Sequence, residues 1–184
     1  PHDPKQYEME ILAADIVAVL DDANIPKADF LGYSLAGRIG FGIAQYASKR
    51  FTSFMIGGAL PYLLDQNELD SNLQLFKQGI EAIIDVLEQS GMTLTPEART
   101  QMLAEDAEAI TALFSASHWR QSLDDALQTM TMPCLFFVGE LDPLRSGVKQ
   151  CADILPNATF ICLPNCRHLG LMSQKGILLP HITH

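Results

Sequence analysis

Ala28-Asp-Phe-Leu-Gly-Tyr-Ser34-Leu-Ala-Gly-Arg-Ile-Gly-Phe41 is the stretch on which the fold turns. Ala28 to Tyr33 is a short apolar run that reads as a strand. Leu35 to Lys49 follows at once with helical spacing, and its small residues Ala36, Gly37, Gly40 and Ala44 permit close packing on a sheet. Ser34 therefore stands at a very tight strand-to-helix turn. Such a bend needs small residues two positions before and after the serine, because larger side chains would collide across it. Gly32 and Ala36 occupy those positions. The turn lifts the Ser34 hydroxyl out of the sheet edge. It also sets the Leu35 N–H at a helix N-terminus, where a developing oxyanion is stabilised. Gly32 and Gly37 also have the separation of a phosphate-binding loop, but Arg38-Ile39 stands where that loop needs Lys followed by Ser or Thr.

Working outward, Met9, Leu12, Ile16, Val19 and Leu20 recur at three- and four-residue steps, which predicts a half-buried helix over Glu8 to Leu20 that ends by Pro26. Phe51 to Gly57 reads as a second strand, parallel to the first, closed by Gly57-Gly58 and Pro61. From Leu63 to Thr129 only helical patterns occur. Leu69, Leu73, Phe76, Ile80, Ile83, Ile84 and Leu87 form one long stripe that Gly91 ends, and Thr95-Pro96 opens the next helix as N-cap and first-turn proline. After Pro133, the continuous apolar run Cys134 to Val138 predicts a strand covered on both faces. A helix over Ser146 to Leu155, a strand over Ala158 to Leu163 and a loop Pro164-Asn-Cys-Arg-His168 complete the pattern. Strands separated by helices specify an α/β fold with a mostly parallel sheet flanked by helices. The division expected is 1–60 as core, 61–130 as a helical insertion and 131–184 as core.

The 184 residues are 48% hydrophobic and 18% charged, enough to bury a real core and to exclude disorder as the main state. Twelve Lys and Arg against 22 Asp and Glu leave a formal charge of −10, which repels a nucleic-acid backbone or an anionic membrane. No apolar run approaches the ~20 residues that span a bilayer, and Pro1-His2-Asp3-Pro4 lacks the features of a signal peptide. A cytoplasmic location is expected. Cys134, Cys151, Cys162 and Cys166 read as reduced thiols, since their grouping in the last third matches neither a disulfide framework nor a common zinc pattern. No metal and no cofactor is expected.

Ligands of such a sheet bind at the C-terminal ends of its strands, and there the chemistry-bearing residues gather. A nucleophilic serine needs a base, and the base an orienting acid. The strand Cys134 to Val138 delivers Asp142 in its following loop; the strand Ala158 to Leu163 delivers His168 in its own. One right-handed crossover brings both loops to a single sheet edge, where Ser34 also emerges. Read alone, Asp142 before Pro143 is equally a turn residue, with Glu140 the alternative acid. His118, beside Trp119, is the other candidate base and reads as a pocket wall or solvated helix end. The joint arrangement, in the order Ser, Asp, His, singles out Ser34, Asp142 and His168.

These motifs, Gly-Tyr-Ser-Leu-Ala-Gly at 32–37, Gly-Glu-Leu-Asp-Pro at 139–143 and Cys-Arg-His-Leu at 166–169, resemble those of α/β hydrolases of the lipase, esterase and lactonase kind. The likeness covers essentially the whole chain. It implies Ser34 as nucleophile, Asp142 as acid, His168 as base, the Leu35 N–H as oxyanion donor, and a helical cap over about 60 to 130. It implies a serine hydrolase of a small carboxylic ester, lactone or related acyl compound acting through an acyl-enzyme. A non-catalytic small-molecule binding or signalling module on the same fold is the alternative. Phe76, Met92, Met102, Phe114 and Trp119 either line an apolar pocket or pack within the helical layer. Proteins of that family begin with strands upstream of the first helix found here, and with a His-Gly-type motif that supplies a second oxyanion donor. The expectation is therefore the C-terminal part of the fold, its sheet completed by a missing N-terminal segment or by a homodimer.

Overall fold

The computed structural model describes the chain apart from Leu64, Ser90, Gly91, Gln174, Thr183 and His184, and apart from the side chains of Ser117, His118, Met172, Ser173 and Lys175. In chain order the elements are α1 (Met9–Asp22), β1 (Ala28–Tyr33), α2 (Leu35–Ala47), β2 (Phe51–Gly57), α3 (Gln66–Lys77), α4 (Ile80–Gln89), α5 (Pro96–Leu103) and α6 (Ala107–Ser115). These are followed by α7 (Ala126–Thr129), β3 (Cys134–Gly139), α8 (Arg145–Ile154), β4 (Ala158–Leu163) and α9 (Lys175–Ile182). The chain divides into two compact units. One comprises Met9–Tyr62 with Leu123–His184, the other Pro1–Glu8 with Leu63–Ser122.

In the first unit the described strands form a parallel sheet in the order β1-β2-β3-β4. Tyr33 lies level with Gly57 and Gly57 with Phe137, while Gly139 lies level with Leu163. Because all strands run the same way, their C-terminal ends and the loops that follow share one edge of the sheet. α1, α2, α7 and α8 cover one face, where Phe41, Ile43, Phe54, Ile56, Phe136, Val138, Val148 and Cys151 are completely buried. The other face carries Phe137, Leu163, Cys166 and Leu171, with Tyr33 and Leu178 packed against them. β1 is an edge strand: among the described residues only β2 pairs with it. Arg50 ties its approach, donating to the carbonyls of Pro26 and Ile25 at 2.9 Å each and to Asp21 at 2.6 Å.

The second unit is helical. Phe76 stacks on Phe114 at 3.9 Å and Phe114 on Trp119 at 5.2 Å, so three of the aromatic residues considered for a pocket wall pack on one another. The long stripe expected from Leu69 to Leu87 is two helices instead. Gly79, at φ +99°, breaks it, and the Gln78 and Gly79 N–H groups close the last turn of α3 on Leu75 and Phe76. The spacing runs through the break: Leu69, Leu73 and Phe76 are half-buried on α3, and Ile80 and Ile84 are buried on α4. Thr95 and Pro96 open α5 as expected, the Thr95 hydroxyl accepting from the Ala98 N–H. Gly91, expected as a terminator, and the His118 side chain lie outside the described residues.

Candidate active site

Ser34 sits between the last residue of β1 and the first of α2 with φ 54° and ψ −115°, a conformation that L residues rarely adopt. The surroundings enforce it. Its N–H donates to the Gly57 carbonyl at 2.9 Å, continuing the sheet, while its carbonyl accepts from the Arg38 N–H at 3.0 Å, starting the helix. One residue thus serves both elements. A Cβ on Gly32 would lie 2.5 Å from the Ala36 carbonyl oxygen and 2.7 Å from the Phe30 ring, so the helix approaches the strand closely only where that residue is bare. Strain of this kind costs about 1–3 kcal/mol and is retained where the rest of the fold over-determines it. Leu35 follows as the first residue of α2, and its N–H is among those that no carbonyl within the helix can accept.

The carboxylate comes from the loop after β3. The Asp142 N–H donates to the Gly139 carbonyl at 3.1 Å, which folds the loop back, and the side chain is wholly buried. One carboxylate oxygen, Oδ1, accepts the Leu144 N–H at 2.9 Å; the other, Oδ2, lies 2.7 Å from His168 Nδ1. Arg145 opens α8 three residues on, so Asp142 stands just ahead of the N-terminus of that helix. A carboxylate can only accept, so Nδ1 carries the proton and Nε2 is left as an acceptor. That nitrogen is 2.9 Å from the Ser34 hydroxyl oxygen. The three side chains singled out in the sequence are therefore linked hydroxyl to imidazole to carboxylate. Such a chain can remove the proton from the hydroxyl and stabilise the imidazolium that results.

Glu140, the alternative acid, is engaged elsewhere: its carboxylate accepts the Asn165 N–H at 3.0 Å. The Leu141 N–H donates to the Cys166 carbonyl at 2.9 Å, so the loops after β3 and β4 are bonded together directly.

Two residues of the site escaped the reading of the sequence. The Tyr33 hydroxyl donates to the His168 carbonyl at 2.6 Å, and burial, with Asp142 and Cys166 adding to it, pushes this phenol above its ordinary pKa. Arg38 is buried in α2 and donates to the carbonyls of Leu60 and Tyr62 at 2.9 and 3.2 Å, fixing the chain as it leaves β2; burial lowers its pKa to about 10. The signal for Arg38 was present, a charged residue on the inward face of a small, apolar helix. Nothing local marks Tyr33. Among the described residues the four cysteines are free, and no group of His, Cys, Asp and Glu is arranged to hold a metal. No described helix is long and apolar enough to cross a membrane.

No protein-family description matches the chain. The 3-oxoadipate enol-lactonase 2 of Acinetobacter baylyi is 26% identical over 151 residues, spanning 76% of this chain and 56% of that relative's length. Among solved structures, the enol-lactonase from Burkholderia xenovorans superimposes over all of this chain and 74% of its own, with a TM-score of 0.84 at 17% identity. A thermophilic esterase from Thermogutta terrifontis covers 95% of this chain and 70% of its own, with a TM-score of 0.81 at 19% identity. The fold is that of the α/β hydrolases.

Proposed function

We propose that this α/β-hydrolase fold carries a serine-hydrolase active site, with Ser34 as nucleophile, His168 as general base and Asp142 as the acid that orients the imidazole. The observation that carries the reading is the continuous hydrogen-bonded chain from the Ser34 hydroxyl through His168 to the buried Asp142 carboxylate. His168 Nε2 takes the hydroxyl proton as Ser34 Oγ bonds to the acyl carbon, and the carbonyl π electrons move to oxygen. The Leu35 N–H faces that oxyanion. Collapse breaks the bond to the leaving group, which departs with the proton from His168. Water then attacks the acyl-enzyme by the same steps, releasing the acid and restoring Ser34.

The substrate class is a small carboxylic ester, a lactone or a related acyl compound, and the chemistry draws on no cofactor. Fold alone does not choose the substrate; the lactonase and esterase activities named for the similar proteins agree with it.

Treating the purified protein with a fluorophosphonate, mapping the modified peptide and following turnover of a p-nitrophenyl ester tests the reading. Modification at Ser34 with parallel loss of turnover is expected. Turnover that persists in Ser34→Ala, or modification at Ser115 or Ser117 instead, would overturn it. Saturable ligand binding with no turnover would favour a binding module on the same fold.

A further inference from the structure

Of the three linked side chains His168 stands farthest from the strand that delivers it. It lies five positions beyond β4, in a loop that includes Pro164 and the positive-φ residue Asn165, and its side chain is 26% exposed. Loops are the mobile part of such folds, yet the imidazole must meet Asp142 on one side and Ser34 on the other within fractions of an ångström. The loop is anchored to a strand end: the Tyr33 hydroxyl bonds the carbonyl of His168 itself.

We propose that Tyr33 is the positioning residue of this site, holding the base in register with the nucleophile. This rests on the serine-hydrolase reading above. Tyr33 is covalently adjacent to Ser34, so one strand end sets the height of the hydroxyl and, through the phenol, of the histidine backbone. Its ring lies 5.3 Å from the His168 imidazole and stacks on Phe137 at 5.9 Å and 20°. Phe137 belongs to β3, the strand whose loop delivers Asp142. A single side chain therefore touches or adjoins the supports of all three residues.

Contact between Tyr33 and Phe137 crosses the intervening strand, and the sequence makes room for it. A Cβ on Gly57 would lie 2.2 Å from the Phe137 ring. One on Gly58, at φ +54°, would lie 2.8 Å from the Tyr33 ring and 3.0 Å from His168 Cε1. The Gly57-Gly58 pair thus does more than end β2; it leaves the gap in which both rings meet. A carbonyl can only accept, so the tether requires the protonated phenol. A phenol is in that form at neutral pH with its ordinary pKa, and burial raises that of Tyr33 further.

Tyr33→Phe tests this, since it keeps the ring and its stacking and deletes only the donor. The measurements are the rate of Ser34 phosphonylation by a fluorophosphonate, kcat and KM with a p-nitrophenyl ester, the melting temperature, and the downfield proton resonance of the His168 Nδ1–H bonded to Asp142. The expected result is phosphonylation and kcat about tenfold slower, KM little changed, a melting temperature lower by only a few degrees, as for the loss of one hydrogen bond, and the Nδ1–H resonance broadened or shifted. Unchanged phosphonylation and an unchanged resonance would overturn the role of Tyr33 while leaving the nucleophile assignment intact. Persisting activity in Ser34→Ala would instead remove the serine-hydrolase reading. The resonance reports the geometry of His168 in either case.

Discussion

The Glu140 carboxylate accepts the Asn165 N–H, and so binds the loop that carries Asp142 to the loop that carries His168. Two acidic residues in one short loop thus have different tasks, one bonded to a backbone and one to an imidazole. Glu140→Gln keeps an acceptor oxygen at the same place and is expected to change kcat less than threefold, while Glu140→Ala loosens the loop and costs more. Asp142→Asn should preserve the fold and lower kcat by about 10⁴, because an amide can hold the wrong imidazole tautomer. Kinetics on the three variants check this, and a reversal of the Gln and Asn effects would reassign the acid.

Ser34 is held at φ 54° against its own preference. Glycine adopts such a backbone freely. Ser34→Gly is therefore expected to abolish phosphonylation and to stabilise the fold by about 1 kcal/mol, seen as a melting temperature higher by about 2–4 °C. A lower melting temperature would show that the bend is not a store of strain.

Gly32 has no such tolerance. Its Cβ would strike the Ala36 carbonyl, which is backbone and cannot swing away. Gly32→Ala should destabilise the protein by about 1–3 kcal/mol and slow phosphonylation as well, because α2 must shift and carries the Leu35 N–H with it. Denaturant titration and labelling kinetics read the two effects.

β1 presents an edge that no described strand covers, beside a Leu31 side chain that is 52% exposed. Open edges with apolar neighbours invite pairing with another chain. We expect the 184-residue chain, purified by itself, to self-associate, and Leu31→Lys to shift it toward monomer on analytical ultracentrifugation. A wild-type chain that stays monomeric at high concentration would contradict this.

The sequence by itself determined what depends on neighbouring residues. Gly32 and Ala36 around Ser34 dictate a strand-to-helix bend because a collision two positions away is a local matter, and the apolar runs Phe51 to Gly57 and Cys134 to Val138 are strands in the structure as expected. Parallel strands joined by helices place their following loops at one edge, so the candidates Ser34, Asp142 and His168 were legible as a set. What required distance in space was not. Periodicity carried straight through Gly79, since it records which side faces the interior and not whether the backbone is continuous. Which of Glu140 and Asp142 meets the imidazole hung on loop direction, seen in the bonds of Glu140 to Asn165 and Asp142 to His168 across 25 and 26 positions of chain. Tyr33 and His168 are 135 positions apart. Their bond exists only because the sheet brings the ends of β1 and β4 to one edge and two glycines leave room between them, a coincidence of packing that no local pattern records.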